Sequence, residues 1–272
     1  MDQTRLFRLQ EWWLAPILFL SILFTGPPGI LAQPVALRIG LSKTSPNYEN
    51  WLKRSDPNII PVNLYLMPID SAVRELNRCA GLLLTGGEDV YPGWYGKEAD
   101  TARCTDMNRH RDSLEMALIA RALVERIPVF AVCRGEQILN VFLEGSLIID
   151  IPQEIGKKVI HQSDDYLHCF HPVTIPEGTL LSAISKCDTG RVASNHHQAV
   201  GHLSTQLRAN AFSPDNLTEG FEWKQPKGKT FLVGVQWHPE RMEKSNPLSG
   251  PLADEFTRQA RLYAASHSLK TK

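Results

Sequence analysis

The sequence predicts an α/β fold in which helices cover both faces of a mostly parallel central sheet. Apolar runs of strand length alternate along the chain with segments of helical spacing, as is typical of such folds. The runs 81–84 and 128–132 are continuously apolar, which favours parallel strands buried on both faces. The second run leads without a gap into Cys133 and a new helix. Because no linker divides residues 33–272, we interpret them as one domain.

The first half of the chain alternates strands with helices. Strands are predicted where aliphatic residues cluster, and helices where apolar residues recur every three or four positions. In the longest of these helices Leu114 and Leu118 share one face, and Arg111 lies one turn before Glu115. The predicted strands are 35–41, 59–66, 81–84 and 128–132, and the predicted helices are 71–78, 108–126 and 136–143.

The second half is richer in strand signals. Gly145 ends the helix that follows Cys133, and the next apolar stretch again suits a strand. The predicted strands of this half are 146–151, 171–175, 206–212, 217–223 and 231–237, and a helix over 247–266 closes the chain.

Composition excludes several classes of protein. The 272 residues contain 29 Lys+Arg and 29 Asp+Glu, so we expect no generally basic surface and no nucleic-acid partner. The hydrophobic fraction of 43% is sufficient to form a core. The five cysteines are too few for a disulfide scaffold.

Residues 1–32 differ in kind from the rest and predict a secretory signal peptide. Arg5 and Arg8 precede an uncharged apolar stretch over 14–24, and Ala32 supplies a small residue at the expected cleavage point. The alternative is an uncleaved anchor, although the apolar run is short for a span of about 20 residues. We expect a domain that is periplasmic or secreted, or else anchored facing outside, with no obligatory membrane partner.

Cys133 is the first candidate for a catalytic residue. A sharp turn from strand to helix presents its side chain at the carboxyl end of the sheet, as in a nucleophile elbow. The N-terminus of the following helix favours the thiolate and can stabilise an oxyanion. On this segment alone, a buried structural Cys is an equally good interpretation. The other cysteines have no comparable context and are interpreted as structural or paired: Cys79, Cys104, Cys169 and Cys187.

His238 and Glu240 are candidates for a base and its orienting partner. His238 leaves the end of an apolar strand, Pro239 bends the chain, and Glu240 follows. A carboxylate at that position can accept a hydrogen bond from the second imidazole nitrogen and fix the tautomer. A surface His and a solvated Glu are the alternatives, and the combination with Cys133 is what favours the catalytic interpretation.

Six sequence blocks together resemble a known family. They are 83–96, with Gly86-Gly87-Glu88-Asp89-Val90-Tyr91-Pro92; 111–115; 133–140, with Cys133-Arg134-Gly135-Glu136-Gln137; 196–200; 215–222; and 234–240. In this order they make the chain similar to the class I glutamine amidotransferase-like hydrolases, specifically the γ-glutamyl-γ-aminobutyrate hydrolase group of cysteine peptidases. The similarity extends from about residue 39 to the closing helix.

This resemblance implies a flavodoxin-like three-layer α/β/α sandwich and a triad of Cys133, His238 and Glu240. It implies an oxyanion hole formed by the backbone N–H groups of Gly87 and Arg134. The implied reaction is hydrolysis of the γ-glutamyl amide bond of a small molecule through a thioester on Cys133, with release of glutamate. Candidates to line the substrate site are Gly86, Gln137, His196, His197 and Gln198.

Glu136 departs from the family pattern, because an uncharged residue is more usual at that position. If its carboxylate points inward, it opposes formation of the Cys133 thiolate.

No metal and no cofactor are predicted. His196 and His197 are adjacent, and neighbouring side chains on a strand point to opposite faces, so they seldom ligate one ion together. A second loose group fits no zinc motif in its spacing; it comprises His161, His168, Cys169 and His171.

The sequence leaves three other functions open. They are a poly-γ-glutamyl (folate) hydrolase, a glutaminase or amidotransferase-type subunit that passes ammonia to a partner, and a non-catalytic binding homologue. The export signal argues against the second, and the intact triad argues against the third. The sequence also leaves open whether the chain forms a homo-oligomer.

Overall fold

The computed structural model describes residues 36–267. The predicted signal peptide lies outside the described residues and stays a prediction. Within the described part of the chain, no helix combines the length and the apolarity that crossing a membrane requires.

An 11-stranded sheet forms the centre of the described domain. Its strands are β1 (Leu37–Leu41), β2 (Ile59–Asn63), β3 (Gly81–Leu84), β4 (Val129–Val132), β5 (Leu147–Ile148), β6 (Phe170–Thr174), β7 (Thr189–Ala193), β8 (Ala199–Val200), β9 (Leu207–Phe212), β10 (Thr218–Trp223) and β11 (Leu232–Val235). The main path is β2-β1-β3-β4-β11-β10-β9-β6-β7, while β5 pairs with β8 and β8 pairs with β10.

The α-helices of the described residues are α1 (Pro46–Ser55), α2 (Ile69–Leu76), α3 (Arg109–Glu125), α4 (Arg134–Phe142), α5 (Ile151–Glu154), α6 (Leu180–Ser185) and α7 (Gly250–His267). Short 3₁₀ turns cover Pro92–Tyr95, Glu98–Arg103 and Pro239–Arg241.

The strands β2, β1, β3, β4 and β11 are parallel neighbours, so their carboxyl ends share one edge of the sheet. Every residue of β3 and β4 is buried, as their continuous apolar runs predict. Beyond β11 the sheet continues antiparallel through β10, β9, β6 and β7. The candidate catalytic residues leave the parallel half at its carboxyl edge.

Alternating side chains of the parallel strands fill two apolar layers. On one face Phe130 packs with Trp51 of α1 and Phe256 of α7. On the opposite face Leu84 of β3 belongs to the same cluster as Leu118 of α3, and α2 and α4 contribute to that layer. The structure therefore confirms the predicted α/β/α sandwich.

Two segments differ from the sequence predictions. The segment 146–151, predicted as a strand, forms only the short β5 before α5 begins. The reason is local, because the Asp150 side chain caps the Gln153 N–H at 2.8 Å and Pro152 suits the first turn of a helix. Helix α1 was not predicted, although Pro46 at its first position is a helix-start signal.

Candidate active site

The turn between β4 and α4 presents Cys133. Its backbone has φ 52° and ψ −112°, a strained conformation for a residue with a side chain. Gly135 permits the tight turn, because a Cβ at Gly135 would lie 2.4 Å from the carbonyl oxygen of Leu84 on the neighbouring strand. The structure therefore has the elbow that the sequence predicts, with Cys133 at the N-cap of α4.

Strand β11 brings His238 to Cys133. It is the parallel neighbour of β4, and the Cys133 N–H donates to the Val235 carbonyl at 2.8 Å. Farther along, His238 Nδ1 lies 2.8 Å from Glu240 Oε1, and Cys133 is close enough to raise the pKa of the imidazole. Burial lowers the pKa of His238, but the Glu240 carboxylate and the Cys133 sulfur outweigh it and raise that pKa to about 9. The predicted residues Cys133, His238 and Glu240 thus form one buried group, in which His238 and Glu240 are hydrogen-bonded and Cys133 lies beside the imidazole.

Gly86 lies directly against this pair. A Cβ at Gly86 would be 2.9 Å from His238 Cε1 and 3.5 Å from Cys133 Cβ, so the position accepts no side chain without displacing the imidazole. The Gly86 N–H donates to Tyr48 Oη at 2.9 Å. Tyr48 belongs to α1, and sequence reasoning missed it because that helix was not predicted.

Arg111 holds the loop that contains Gly86 and Gly87. Its Nη2 donates to the carbonyl oxygens of Thr85 and Gly86, each at 2.9 Å. Gly87 has φ 152°, and a Cβ there would lie 2.0 Å from Arg111 Nη1. The guanidinium therefore fits only because this position is Gly.

A buried charge network connects that loop to the elbow. Glu115 Oε1 accepts a hydrogen bond from Arg111 Nε at 3.0 Å, while Glu115 Oε2 and Asp112 accept from Arg134. The four side chains are 0–1% exposed. Because Arg134 directly follows Cys133, the network fixes both segments that carry the predicted oxyanion-hole N–H groups.

Gln137 connects the backbone of Cys133 to Gln198. The Gln137 N–H donates to the Cys133 carbonyl at 3.1 Å. Gln137 Nε2 donates to the Gln198 carbonyl and to Gln236 Oε1, both at 3.1 Å. These contacts make Gln137 a support for the elbow as well as a candidate for substrate binding.

His196 and His197 point apart, as their adjacency predicts. His197 Nε2 lies 3.0 Å from Asp89 Oδ1, whereas His196 Nδ1 donates to the Gln198 carbonyl at 2.9 Å. Both histidines line a pocket of about 270 Å³ that Cys133 does not line.

Glu136 points inward. Its side chain is fully buried, and within residues 36–267 neither carboxyl oxygen has a hydrogen-bond partner. Burial, together with the charges of Glu219 and Cys133, raises the pKa of Glu136 well above its ordinary value. The raised pKa favours the neutral carboxyl, which weakens its opposition to the Cys133 thiolate.

The other cysteines and histidines that the sequence singled out do not form a single group in the structure. All five cysteines are unbridged, so the paired alternative is not seen for Cys79, Cys104, Cys169 or Cys187. His168 is exposed and contacts Asp165, whereas His161 and His171 join His196 in a separate buried cluster with Glu219.

Comparison of the sequence with known proteins identifies the family. Residues 44–240 match the family model of Peptidase C26. Protein NtpR of Enterococcus hirae is 37% identical over 79% of this chain and 89% of its own length. The γ-glutamyl-γ-aminobutyrate hydrolase PuuD of Escherichia coli is 36% identical over 66% of this chain and 72% of its own length.

Solved structures show the same fold. The glutaminase domain of Trypanosoma brucei CTPS with bound acivicin has a TM-score of 0.56 at 16% identity, covering 83% of this chain and 94% of that one. A glutamine amidotransferase of Thermotoga maritima has a TM-score of 0.52 at 17% identity, covering 85% and 90%. The predicted flavodoxin-like fold is confirmed, and the chain belongs to the peptidase C26 family as a hydrolase of the glutamine amidotransferase type.

Proposed function

We propose that this protein hydrolyses the γ-glutamyl amide bond of small γ-glutamyl compounds and releases glutamate. The observation that carries the proposal is the buried group of Cys133, His238 and Glu240 at the carboxyl edge of β4 and β11, with His238 hydrogen-bonded to Glu240 and Cys133 beside the imidazole. A thiol, an imidazole and a carboxylate in that order are the groups that covalent cysteine hydrolysis requires.

The first half-reaction forms a thioester. The Cys133 thiolate attacks the γ-carbonyl carbon of the substrate, forming a C–S bond and a tetrahedral oxyanion. The backbone N–H groups of Gly87 and Arg134 stabilise that oxyanion. The C–N bond then breaks, and the leaving amine takes its proton from His238, while Glu240 holds the imidazole in place.

The second half-reaction returns the enzyme to its starting state. His238, now neutral, removes a proton from a water molecule that attacks the thioester carbon. The C–S bond breaks, glutamate leaves, and the Cys133 thiolate again faces a protonated imidazole. The pKa of about 9 at His238 keeps the imidazole protonated for the first step at neutral pH.

The loop that contains Gly86 forms the wall beside the sulfur. A Cβ at Gly86 would lie 2.9 Å from His238 Cε1, so only Gly fits there without displacing the imidazole. The charge network of Arg111, Glu115 and Arg134 holds this loop and the elbow in place. The activity named for the Escherichia coli relative supports γ-glutamyl-γ-aminobutyrate as the first substrate to test.

The test is glutamate release from a panel of γ-glutamyl compounds. The panel contains γ-glutamyl-γ-aminobutyrate, glutamine, a γ-glutamyl dipeptide and a poly-γ-glutamate. We expect release from γ-glutamyl-γ-aminobutyrate by the wild type, loss in Cys133→Ala, and retention in Cys79→Ala, which removes a buried thiol remote from His238. Release that survives in Cys133→Ala contradicts the mechanism.

The same panel separates the other functions. Preference for poly-γ-glutamate indicates a poly-γ-glutamyl hydrolase, and preference for glutamine indicates a glutaminase subunit. Absence of release from every compound by folded protein contradicts the proposed hydrolysis.

A further inference from the structure

Four buried side chains outside the catalytic chain converge on one point. They are His161 in the loop before β6, His171 in β6, His196 after β7, and Glu219 in β10. Each is at most 4% exposed, and one ligand atom from each lies within 4.8 Å of the others. Residues from four separate segments therefore meet in the interior.

The facing atoms are three ring nitrogens and one carboxylate oxygen. Glu219 Oε1 lies 3.3 Å from His161 Nδ1, 3.5 Å from His171 Nε2 and 3.7 Å from His196 Nε2. Within residues 36–267, none of these atoms has a hydrogen-bond partner. An ionised carboxylate that is buried without hydrogen bonds carries a large free-energy cost, so Glu219 requires a positively charged partner at this point, either a protonated imidazole or a cation.

In each imidazole, the nitrogen that faces away from Glu219 lies beside an oxygen acceptor. That acceptor determines which ring nitrogen carries the hydrogen. His161 Nε2 lies 3.1 Å from Asp215 Oδ2, and a carboxylate can only accept. His171 Nδ1 is 3.0 Å from the Pro172 carbonyl, and His196 Nδ1 is 2.9 Å from the Gln198 carbonyl. Each ring must donate to these oxygens, so in the neutral form its other nitrogen presents a lone pair to Glu219.

We propose that His161, His171, His196 and Glu219 bind a Zn²⁺ ion. Ligand atoms about 2.0–2.2 Å from a tetrahedral zinc ion lie about 3.3–3.5 Å apart, which matches the observed carboxylate–nitrogen separations within a few tenths of an ångström. Donation of the second ring nitrogen to a carboxylate or carbonyl is the usual support for a metal-ligating histidine. Some ligand atoms in the cluster are farther apart than this, up to 4.8 Å, and they would have to move slightly closer together to bind the ion.

Protons do not replace the ion equally well. One proton could join His161 to Glu219, but it would leave two lone pairs facing the same oxygen. Protonation of all three rings would place three positive charges against two carboxylates, Glu219 and Asp215, in the interior. A single divalent cation satisfies all four ligands at once.

The proposed ion fastens a long loop to the wall of the active site. The His161 carbonyl already accepts from Ser194 Oγ at 2.6 Å and from the His196 N–H at 3.0 Å. The Gln198 carbonyl accepts from both His196 and Gln137. The pocket of about 270 Å³ beside His161 and His196 provides an entry path for the metal. A closed site with four protein ligands is the arrangement of structural zinc.

The test begins with the zinc content of the full chain purified from zinc-supplemented medium. We expect about one zinc per chain after exhaustive dialysis, and at least a tenfold lower content in His171→Gln and in Glu219→Gln. The matched control is His168→Gln, because His168 lies near the same loop end but is exposed and pairs with Asp165. Asp215→Asn removes the carboxylate behind His161 and should weaken zinc binding about 10–100-fold.

A second measurement uses only the wild type, so that it does not depend on the folding of a variant. Cobalt(II) replaces zinc after removal of the metal with a chelator, and its absorption spectrum reports the ligands. We expect the intense visible bands of tetrahedral cobalt without the near-ultraviolet bands of cobalt–thiolate bonds. Chelation should lower the thermal midpoint by about 5 °C or more, and zinc should restore it.

Three results overturn the proposal. They are zinc-free wild type after supplementation and dialysis against zinc, zinc content in folded His171→Gln and Glu219→Gln equal to that of wild type, and a cobalt spectrum dominated by thiolate bands, which places the metal on cysteines. These readouts do not depend on γ-glutamyl hydrolysis, so either proposal can fail alone.

Discussion

The buried carboxylate of Glu115 should stabilise this protein far more than an exposed carboxylate on the same helix. Glu115 lies one turn after Arg111 at 3.0 Å, and both side chains are 0% exposed. Glu125 lies one turn after Arg121 at the same 3.0 Å, but both side chains are 36% exposed. Helix, spacing and distance to the first arginine are matched, so Glu115→Gln and Glu125→Gln differ in burial and in the second contact of Glu115, with Arg134.

The expected magnitudes follow from the contacts that each carboxylate makes. Glu115 accepts from both Arg111 and Arg134, and removing its charge leaves two buried guanidinium groups without their main counter-charge. Breaking such a buried network costs about 3–5 kcal/mol, whereas an exposed pair one helical turn apart contributes about 0.3–0.5 kcal/mol.

Urea unfolding at neutral pH measures the difference. With a urea m-value of about 3 kcal/mol/M, Glu115→Gln should lower the midpoint by about 1–1.7 M and Glu125→Gln by about 0.2 M or less. Folded Glu115→Gln should also lose kcat/KM, because Arg111 and Arg134 hold the Gly86 loop and the elbow. Losses in unfolding free energy that agree within about 0.5 kcal/mol would refute the reasoning.

Other predictions concern the reacting groups and their neighbours. Gly86→Ala should lower kcat/KM at least about 100-fold, because its Cβ would lie 2.9 Å from His238 Cε1 and displace the imidazole; near-normal kinetics would contradict that placement. Glu240→Gln should move the alkaline limb of the kcat/KM profile from about pH 9 toward lower pH, because the carboxylate raises the pKa of His238; an unmoved limb argues against the contact. Glu136 has a raised pKa in the folded state, so its contribution is favourable below the pKa of the unfolded chain and is lost as pH rises. Glu136→Gln should therefore gain stability over wild type by up to about 1.4 kcal/mol per pH unit above pH 4.3, and parallel stability–pH curves would show that Glu136 is ionised.

The parallel half of the fold was predictable because its signals are local. The apolar runs at β3 and β4 and the spacing of α3 need no information from the rest of the chain. The nucleophile followed in the same way, since a Cys between a buried strand and a helix has one geometric consequence. Placement of His238 beside it depended on the pairing of β11 with β4, which the family resemblance supplied and the structure shows.

The features that could not be predicted from the sequence depend on contacts between residues that are far apart in the chain. Tyr48 reaches Gly86 from α1, and only the folded chain brings these two distant residues together. The cluster around Glu219 draws single residues from four segments, so no short spacing marks it. The inward orientation of Glu136 also depends on contacts across the sheet, because its Cγ packs where a Cβ on Gly234 would lie.

The most direct test of the proposed function is detection of the covalent intermediate. Wild type, Cys133→Ala and Cys79→Ala would each be mixed with γ-glutamyl-γ-aminobutyrate, quenched in acid within the first turnover, and measured by intact-protein mass spectrometry. We predict a mass increase of one γ-glutamyl acyl group in wild type and Cys79→Ala, mapped to the peptide that contains Cys133, and no increase in Cys133→Ala. Steady glutamate release with the acyl group on another residue, or an adduct that persists in Cys133→Ala, would contradict catalysis by Cys133.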